Sequence, residues 1–187
     1  MGQEGWNVTL RHPTVCLSPS DYDGYVQWLS RKTGHVYRVP SEAEWEYAAR
    51  TGLREVKAWA PGDAAGCRMF NAGDAAFRSK YSDPWPTFDC DDGYADTASV
   101  GRFPANLHGM HDVFGNASEI VADCFYPTHS GAPADGSVRT GPPSCMRVAK
   151  GGSPAAEPGF LRPATRVFVT SDAHGNGFGM RVLRELP

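Results

Sequence analysis

Residues 18–52 read SPSDYDGYVQWLSRKTGHVYRVPSEAEWEYAARTG, and this stretch predicts two helices joined by a short strand. In the first helix, Ser18 can cap the N-terminus and Gly34 can end the last turn in a left-handed conformation. In the second helix, Ser41 and Glu44 have the spacing of a capping box. Apolar residues recur at helical spacing along the first helix, which predicts one buried stripe. That stripe comprises Tyr22, Tyr25, Val26 and Leu29.

The second helix, at residues 41–52, is predicted to end at Gly52. Trp45 follows its capping box, and alanines continue the same face one turn later. This pattern indicates that Trp45 belongs to the core and does not bind a ligand. Between the helices, HVYRV at residues 35–39 predicts a strand.

The rest of the chain is rich in turn-forming residues, with 21 glycines and 15 prolines in 187 residues overall. Residues 53–110 carry only short apolar pieces, which predict short strands, tight turns and long loops. Further short strands are predicted at 117–125, 146–150, 161–168 and 178–184. We therefore expect one loop-rich α+β domain over residues 1–187.

Charge and hydropathy exclude several classes of protein. The 18 basic and 21 acidic residues give a formal net charge of −3, whereas nucleic-acid-binding domains are usually basic. No apolar run approaches the roughly 18–20 residues of a membrane span, and the N-terminus MGQEGWNVTLRHP lacks the order of a secretory signal. We expect no nucleic-acid partner, no membrane span and a cytoplasmic location. The five scattered cysteines favour reduced thiols over a disulfide framework.

Six segments, in order along the chain, resemble the formylglycine-generating enzyme (sulfatase-modifying factor) family. They read HPTVCLSPSDYDGYVQWLS, YRVPSEAEWEYAARTG, FPANLHGMHDVFGNASEI, RVAKGGS, LRPATR and GMRVLREL. The resemblance implies a variant C-type-lectin-like fold, with two helices near the N-terminus packed on short, twisted antiparallel sheets. Members of this family usually begin with a further N-terminal stretch, so we expect this sequence to be a trimmed form, a fragment or a minimal member.

The segment DVFGNASE places two carboxylates, Asp112 and Glu119, around a Gly-Asn turn. This turn can present the carbonyls of Gly115 and Ala117 to the same point, and calcium takes six to eight oxygen ligands of these kinds. Judged by spacing alone, it is more plausible that Asp112 and Glu119 are a surface acid and a turn-forming residue than that they bind calcium. Because it resembles a calcium site of the family, we expect a structural calcium ion here.

The resemblance implies a second calcium site further upstream. It would be made by Asn71 with the Ala72 carbonyl, and by Asp92 with the Tyr94 carbonyl in the segment DDGY. Without the resemblance, DDGY is a turn sequence. At both sites the ion would hold loops in place and take no part in catalysis.

The resemblance also implies an activity that this sequence does not support. In the family, a substrate cysteine is oxidised to formylglycine with molecular oxygen, by a copper(I) ion held between two cysteines. Those cysteines follow the GGS motif, but here the segment GGSPAAEPGFLRPATR contains none. Residues 154–157 stand in the region of the first thiol and residues 159–161 in that of the second. Copper(I) prefers thiolate ligands, so we expect no copper site and assign no catalytic residue.

Arginines and phenylalanines alternate in the last third of the chain, at 160–181. One interpretation is that the phenylalanines form core and the arginines pair with nearby acids. The other is that the loops at 153–181 form a recognition surface, as in the related variable proteins of diversity-generating retroelements. Guanidinium groups are suited to forming bidentate hydrogen bonds with carboxylates or peptide carbonyls. The residues expected at this surface are Phe160, Arg162, Arg166, His174, Asn176 and Arg181.

Three functions remain open from the sequence. The first is a non-catalytic module on a calcium-stabilised lectin-like scaffold, which binds a protein or a small molecule through residues 153–181. The second is an enzyme of the formylglycine-generating or sulfoxide-synthase type. The third is an accessory domain of a larger fusion protein.

Overall fold

The first helix, α1, spans Pro19–Thr33 in the computed structural model, which describes residues 9–50 and 59–186. The helix begins at the predicted cap. The Ser18 hydroxyl accepts a hydrogen bond from the Asp21 amide, while the Asp21 carboxylate accepts one from the Ser18 amide. Two orphan donors of the first turn are thereby satisfied within the helix itself.

The opposite end and the buried face of α1 differ in how well they match the sequence pattern. Gly34 ends the helix at φ 73°, as predicted. Tyr22 and Val26 are buried, but Tyr25 is 44% exposed and stacks on Trp28. The predicted stripe is therefore wrong at Tyr25, because helical spacing alone does not say how wide the covered face is.

A two-residue strand, β1 at Tyr37–Arg38, leads into the second helix, α2 at Glu42–Ala49. The capping box is present, since the Ser41 hydroxyl accepts from the Glu44 amide and the Glu44 carboxylate accepts from the Ser41 amide. Trp45 is only 3% exposed, which confirms that it belongs to the core.

The middle of the chain is organised differently from the prediction. The predicted stop at Gly52 lies outside the described residues. Within 59–110 the structure has a third helix, α3 at Ala75–Tyr81, and a short 3-10 helix at Gly66–Arg68, but no strand. Asp74 caps α3. The prediction of short strands here is therefore wrong. The helix α3 was not predicted because seven residues are too few for its apolar spacing to be recognised. None of the helices in the described part of the chain is long and apolar enough to cross a membrane.

Five further strands form two small sheets with β1. They are β2 (Ser118–Cys124), β3 (Arg147–Lys150), β4 (Val167–Val169), β5 (Phe178–Met180) and β6 (Leu183–Arg184). β1 pairs with β6, and the larger sheet has the order β4-β3-β2-β5. β3 is antiparallel to both neighbours, but β5 runs parallel to β2, so this sheet is mixed where an antiparallel one was predicted.

Two predicted strands are shorter than expected. Of residues 161–168, only the end is extended, in β4, because the stretch before it turns and Pro163 cannot donate to a strand ladder. Residues 178–184 divide into β5 and β6.

The core is arranged around β2, whose successive side chains point to opposite faces. On one face Ile120 packs with Tyr22 of α1, and on the other Val121 packs with Trp45 of α2. A third cluster lies beside them, where Leu161 packs against aromatic side chains of the middle loops. Helices, sheet and C-terminal loops are thus held by one strand and its neighbours.

Four of the five cysteines form disulfides, Cys67–Cys90 and Cys124–Cys145, and Cys16 is free. The prediction of reduced thiols is wrong. The partners stand more than 20 residues apart and come together only when distant loops meet, so sequence spacing could not reveal them.

Candidate functional site

A cleft of about 410 Å³ opens where β2, β3 and β5 meet the loop that follows β3. Most of its lining comes from residues 149–178, to which Ser118 of β2 and Trp85 of a middle loop are added. We call it the C-terminal cleft. Its volume lies in the range of small-molecule sites, roughly 300–1,000 Å³.

The GGS turn gives the C-terminal cleft its floor. Gly151 and Gly152 have φ of 88° and 84°, in the left-handed region. A Cβ atom at Gly151 would lie 2.6 Å from the Val113 carbonyl oxygen, so only glycine fits. The turn directs Ser153 and the residues after it along the wall of the cleft.

The cleft has no thiol at the positions where the resemblance places the copper ligands. Ala156 lines its wall, while Leu161 is buried in the third core cluster. Among all five cysteines, which the structure describes, only Cys16 is unpaired, and it does not line the cleft. These residues do not fit copper(I), which prefers soft sulfur ligands.

Among the expected recognition residues, Phe160 lies at the cleft, but Arg166 and Arg181 do not. The Arg166 guanidinium donates to the Glu42 carboxylate of α2 at 2.6 Å and to the Tyr126 carbonyl. The Arg181 guanidinium binds Glu119. Both arginines therefore pair with acids of the same chain, which was the alternative interpretation.

The remaining expected recognition residues are exposed and do not line the cleft. Arg162 and His174 lie in exposed loops. The Asn176 side-chain oxygen accepts a hydrogen bond from the Cys16 thiol. Of the six expected recognition residues, the structure thus places only Phe160 at the C-terminal cleft.

Sequence reasoning missed several residues that do line the cleft. They are Trp85, Ser118, Ser153, Glu157, Thr165 and Phe178. Trp85 and Ser118 come from distant segments, and nothing near them in the sequence marks a site. The other four lie within the predicted range 153–181, but the sequence did not single them out as recognition residues.

Four buried side-chain oxygens in the described part of the chain have no hydrogen-bond partner, and three belong to predicted calcium ligands. They are Asn71 Oδ1, Asp92 Oδ2, Asp112 Oδ1 and Thr165 Oγ1. A buried polar atom without a partner costs about 1–3 kcal/mol. Oxygen atoms left without donors are what a hard cation would coordinate.

At the upstream site the residues fit a cation well. Asn71 is fully buried, and its amide nitrogen donates to the Asp96 carbonyl at 2.7 Å, which leaves Oδ1 free. Carboxylate oxygens of Asp74, Asp91 and Asp92 lie within 4.8 Å of one another. Like charges so close repel, and a bound cation would remove this repulsion.

The pKa of Asp92 reflects this environment. Burial, followed by the negative charge of Asp74, raises the pKa of Asp92 to about 8. The Asp92 Oδ1 atom accepts from the Tyr94 amide, so only Oδ2 is left without a donor. The Asp74 carboxylate accepts from the Asp92 amide at 2.7 Å, which holds the two acids in place.

At the downstream site the fit is less complete. Asp112 Oδ2 accepts from the Gly101 amide at 2.6 Å, and Oδ1 has no partner. Glu119, however, accepts from the Trp45 indole at 2.6 Å and from the Arg181 guanidinium through both oxygens. Burial disfavours the charged form of Arg181, but the charges of Glu119 and Asp112 raise its pKa overall. Part of the positive charge that this site needs is already supplied by Arg181.

The two loops touch each other. The Asn71 carbonyl accepts from the Asn116 amide at 2.7 Å, and their side chains are hydrogen-bonded at 3.3 Å. An ion in either loop would therefore also steady the other.

Comparison with known proteins gives a match over nearly the whole chain. Residues 2–186 match the model of the sulfatase-modifying factor enzyme 1-like domain. The chain is 32% identical over 184 residues to the formylglycine-generating enzyme of Mycobacterium tuberculosis, covering 93% of this chain and 58% of that protein. It spans about half the length of the curated relatives it matches.

Two solved structures are similar in fold. PvdO from Pseudomonas aeruginosa superposes with a TM-score of 0.80 and 34% identity, covering 97% of this chain and 65% of PvdO. Variable protein 1 of Treponema denticola superposes with a TM-score of 0.59 and 25% identity, covering 79% of this chain and 47% of that one.

Proposed function

This chain belongs to the sulfatase-modifying factor enzyme 1-like family, and from that premise we propose that it is a non-catalytic binding module. Its ligand would occupy the C-terminal cleft. The observation that carries the proposal is that Ala156 and Leu161 stand in the two regions where the family has its copper thiols. The cleft itself is retained, with a volume suited to a small molecule.

Calcium has a structural role in this proposal. The carboxylate cluster of Asp74, Asp91 and Asp92 supports an ion at the upstream site, and so do the unpartnered oxygens of Asp92 and Asn71. We expect that site to be the tighter one, because at the downstream site calcium must compete with Arg181 for Glu119. Calcium would supply only positive charge and oxygen coordination, and would hold the loops that frame the sheet.

The two disulfides support a location in an oxidising compartment, where such bonds form and persist. We propose this location in place of the cytoplasmic one expected from the sequence.

The first test is of catalysis. A cysteine-containing peptide incubated with the protein, copper(I) and air should keep its mass, since no thiolate pair is available. Copper(I) titrated against a competing chelator should bind no more tightly than to one thiol, and Cys16→Ser should abolish even that. The formylglycine-generating enzyme of Mycobacterium tuberculosis is the positive control. An aldehyde-sized mass loss in the peptide would establish an enzyme instead.

The second test is of binding. In a ligand-observed NMR screen of small fragments, some should bind the wild-type protein and lose binding in Ala155→Trp. Ala155 is exposed and lines the cleft, so the indole should fill the space without disturbing the core. Ala164→Trp is a matched control, because Ala164 is also exposed but does not line the cleft. If both variants bind like wild type, the cleft is not the binding site.

A further inference from the structure

The charge of the C-terminal cleft is unbalanced. Only two of the lining residues carry an acidic or basic side chain, Lys150 and Glu157. The side chain of Lys150 is fully buried, and its ammonium group pairs with Glu42 at 3.4 Å and Glu46 at 3.1 Å. Its positive charge is thereby already neutralised within the chain.

Glu157, in contrast, has no ion-pair or hydrogen-bond partner for its carboxylate among the residues the structure describes. It stands at the cap position of the 3-10 helix Pro158–Phe160, but its side chain makes no capping hydrogen bond. Neither folding nor local capping uses this carboxylate. The charge that the cleft offers to a ligand is therefore negative.

Aromatic side chains border the same cleft. Trp85 is 62% exposed and Phe160 is 49% exposed, and Phe178 is half-buried beside them. The faces of aromatic rings attract cations as well as apolar groups. Exposed rings on a concave surface thus favour a ligand that has both an apolar body and a positive charge.

A buried hydroxyl adds a specific requirement. Thr165 lines the cleft, and its Oγ1 atom is buried without any hydrogen-bond partner. It can accept a hydrogen bond from a ligand N–H group. Rotation of the Thr165 side chain would bring this oxygen to a ligand in the cleft, where an ammonium group would also neutralise Glu157.

We propose that the C-terminal cleft binds a small organic cation, a primary or secondary ammonium ion on an apolar or aromatic body. Glu157 neutralises the ammonium group, Thr165 accepts one of its hydrogen bonds, and the aromatic rings cover the apolar part. This assignment rests on the proposed binding function and names the class of ligand for it. The cleft volume, about 410 Å³, suits a molecule of this kind.

The experiment compares three probes of nearly equal size: 2-phenylethylammonium, 2-phenylethanol and 3-phenylpropanoate. Their affinities are measured by NMR titration at low ionic strength, with calcium present. The ammonium should bind about tenfold more tightly than the alcohol, and the carboxylate more weakly than both. This ratio is close to the lower end of what one hydrogen bond to a charged group contributes.

The variant Glu157→Gln should remove the preference of the cleft for the ammonium over the alcohol. It should fold normally, because this carboxylate has no partner in the described part of the chain. Asp172→Asn is the control, since it removes the same charge from an exposed position that does not line the cleft. The variant Trp85→Leu should weaken binding of the ammonium more than binding of the alcohol.

Three results would overturn the assignment. The ammonium assignment fails if the ammonium and the alcohol bind equally well, or if the preference for the ammonium survives in Glu157→Gln. The binding function remains intact in either case, provided that Ala155→Trp still blocks the probes. If none of the three probes binds the folded wild-type protein, the ammonium assignment fails. If the fragment screen then also finds no ligand sensitive to Ala155→Trp, the binding function fails with it.

Discussion

Reduction of both disulfides is expected to lower the free energy of unfolding by about 6 kcal/mol, which approaches the whole stability of many domains. Cys67–Cys90 joins residues 23 apart in sequence, and Cys124–Cys145 joins residues 21 apart. In the chain-entropy model, closing a loop of this size contributes about 3 kcal/mol at 25 °C. Urea unfolding followed by tryptophan fluorescence, with and without a phosphine reductant, measures the difference.

Variants separate the two bonds. Replacing both cysteines of either pair by alanine should cost about half of the total, whereas Cys16→Ser should leave the urea midpoint unchanged. Complete reduction must be verified by counting free thiols. If the fully reduced protein unfolds at the same urea concentration as the oxidised one, the disulfides do not stabilise this fold.

Calcium is expected to raise the free energy of unfolding by about 2.7 kcal/mol at a hundredfold excess over its Kd. For a chain of this size, that corresponds to an increase in Tm of about 5–10 °C. The physical reason is that Asn71, Asp92 and Asp112 each bury an oxygen that the chain does not satisfy. Scanning calorimetry with calcium, with magnesium and with a chelator measures the shift.

The two candidate sites can be separated by substitution. Asp92→Asn should remove most of the calcium-dependent increase in Tm, whereas Asp112→Asn should remove less, since Arg181 already supplies charge there. Reduction of Cys67–Cys90 should also weaken calcium binding, because Cys90 immediately precedes the aspartates of the upstream site. Superimposed melting curves with calcium and with chelator would exclude structural calcium.

Local signals explain which parts of the fold the sequence could predict. The Ser18 and Ser41 hydroxyls accept hydrogen bonds from amides three residues further on, so the start of each helix is determined by residues within one helical turn. The helix after Asp74 uses the same kind of cap, but at seven residues it is too short for its apolar spacing to be recognised. The parallel pairing of β5 with β2 depends on the path of the chain between them, which no local pattern contains.

The candidate site was predicted only in part, for the same reason. The GGS turn and the missing thiols are properties of one continuous segment, and both could be read directly. Trp85 reaches the cleft from a middle loop, and Thr165 is notable only because its hydroxyl lacks a partner in three dimensions. Arg166 and Arg181 look like recognition residues in the sequence, but their acidic partners lie on distant elements.

The pairing of β6 with β1 has a consequence for how the protein is made. Tyr37 lies opposite Arg184, so β1 cannot pair until β6, which is distant in sequence, has been synthesised. Contacts between residues so far apart form slowly, because the chain entropy lost in closing the loop precedes the gain from packing. During synthesis the N-terminal helices emerge without the strands that cover them, and this exposes apolar surface to other chains. Folding of this domain is therefore completed only after β6 has been synthesised, and its yield depends on protection during that interval.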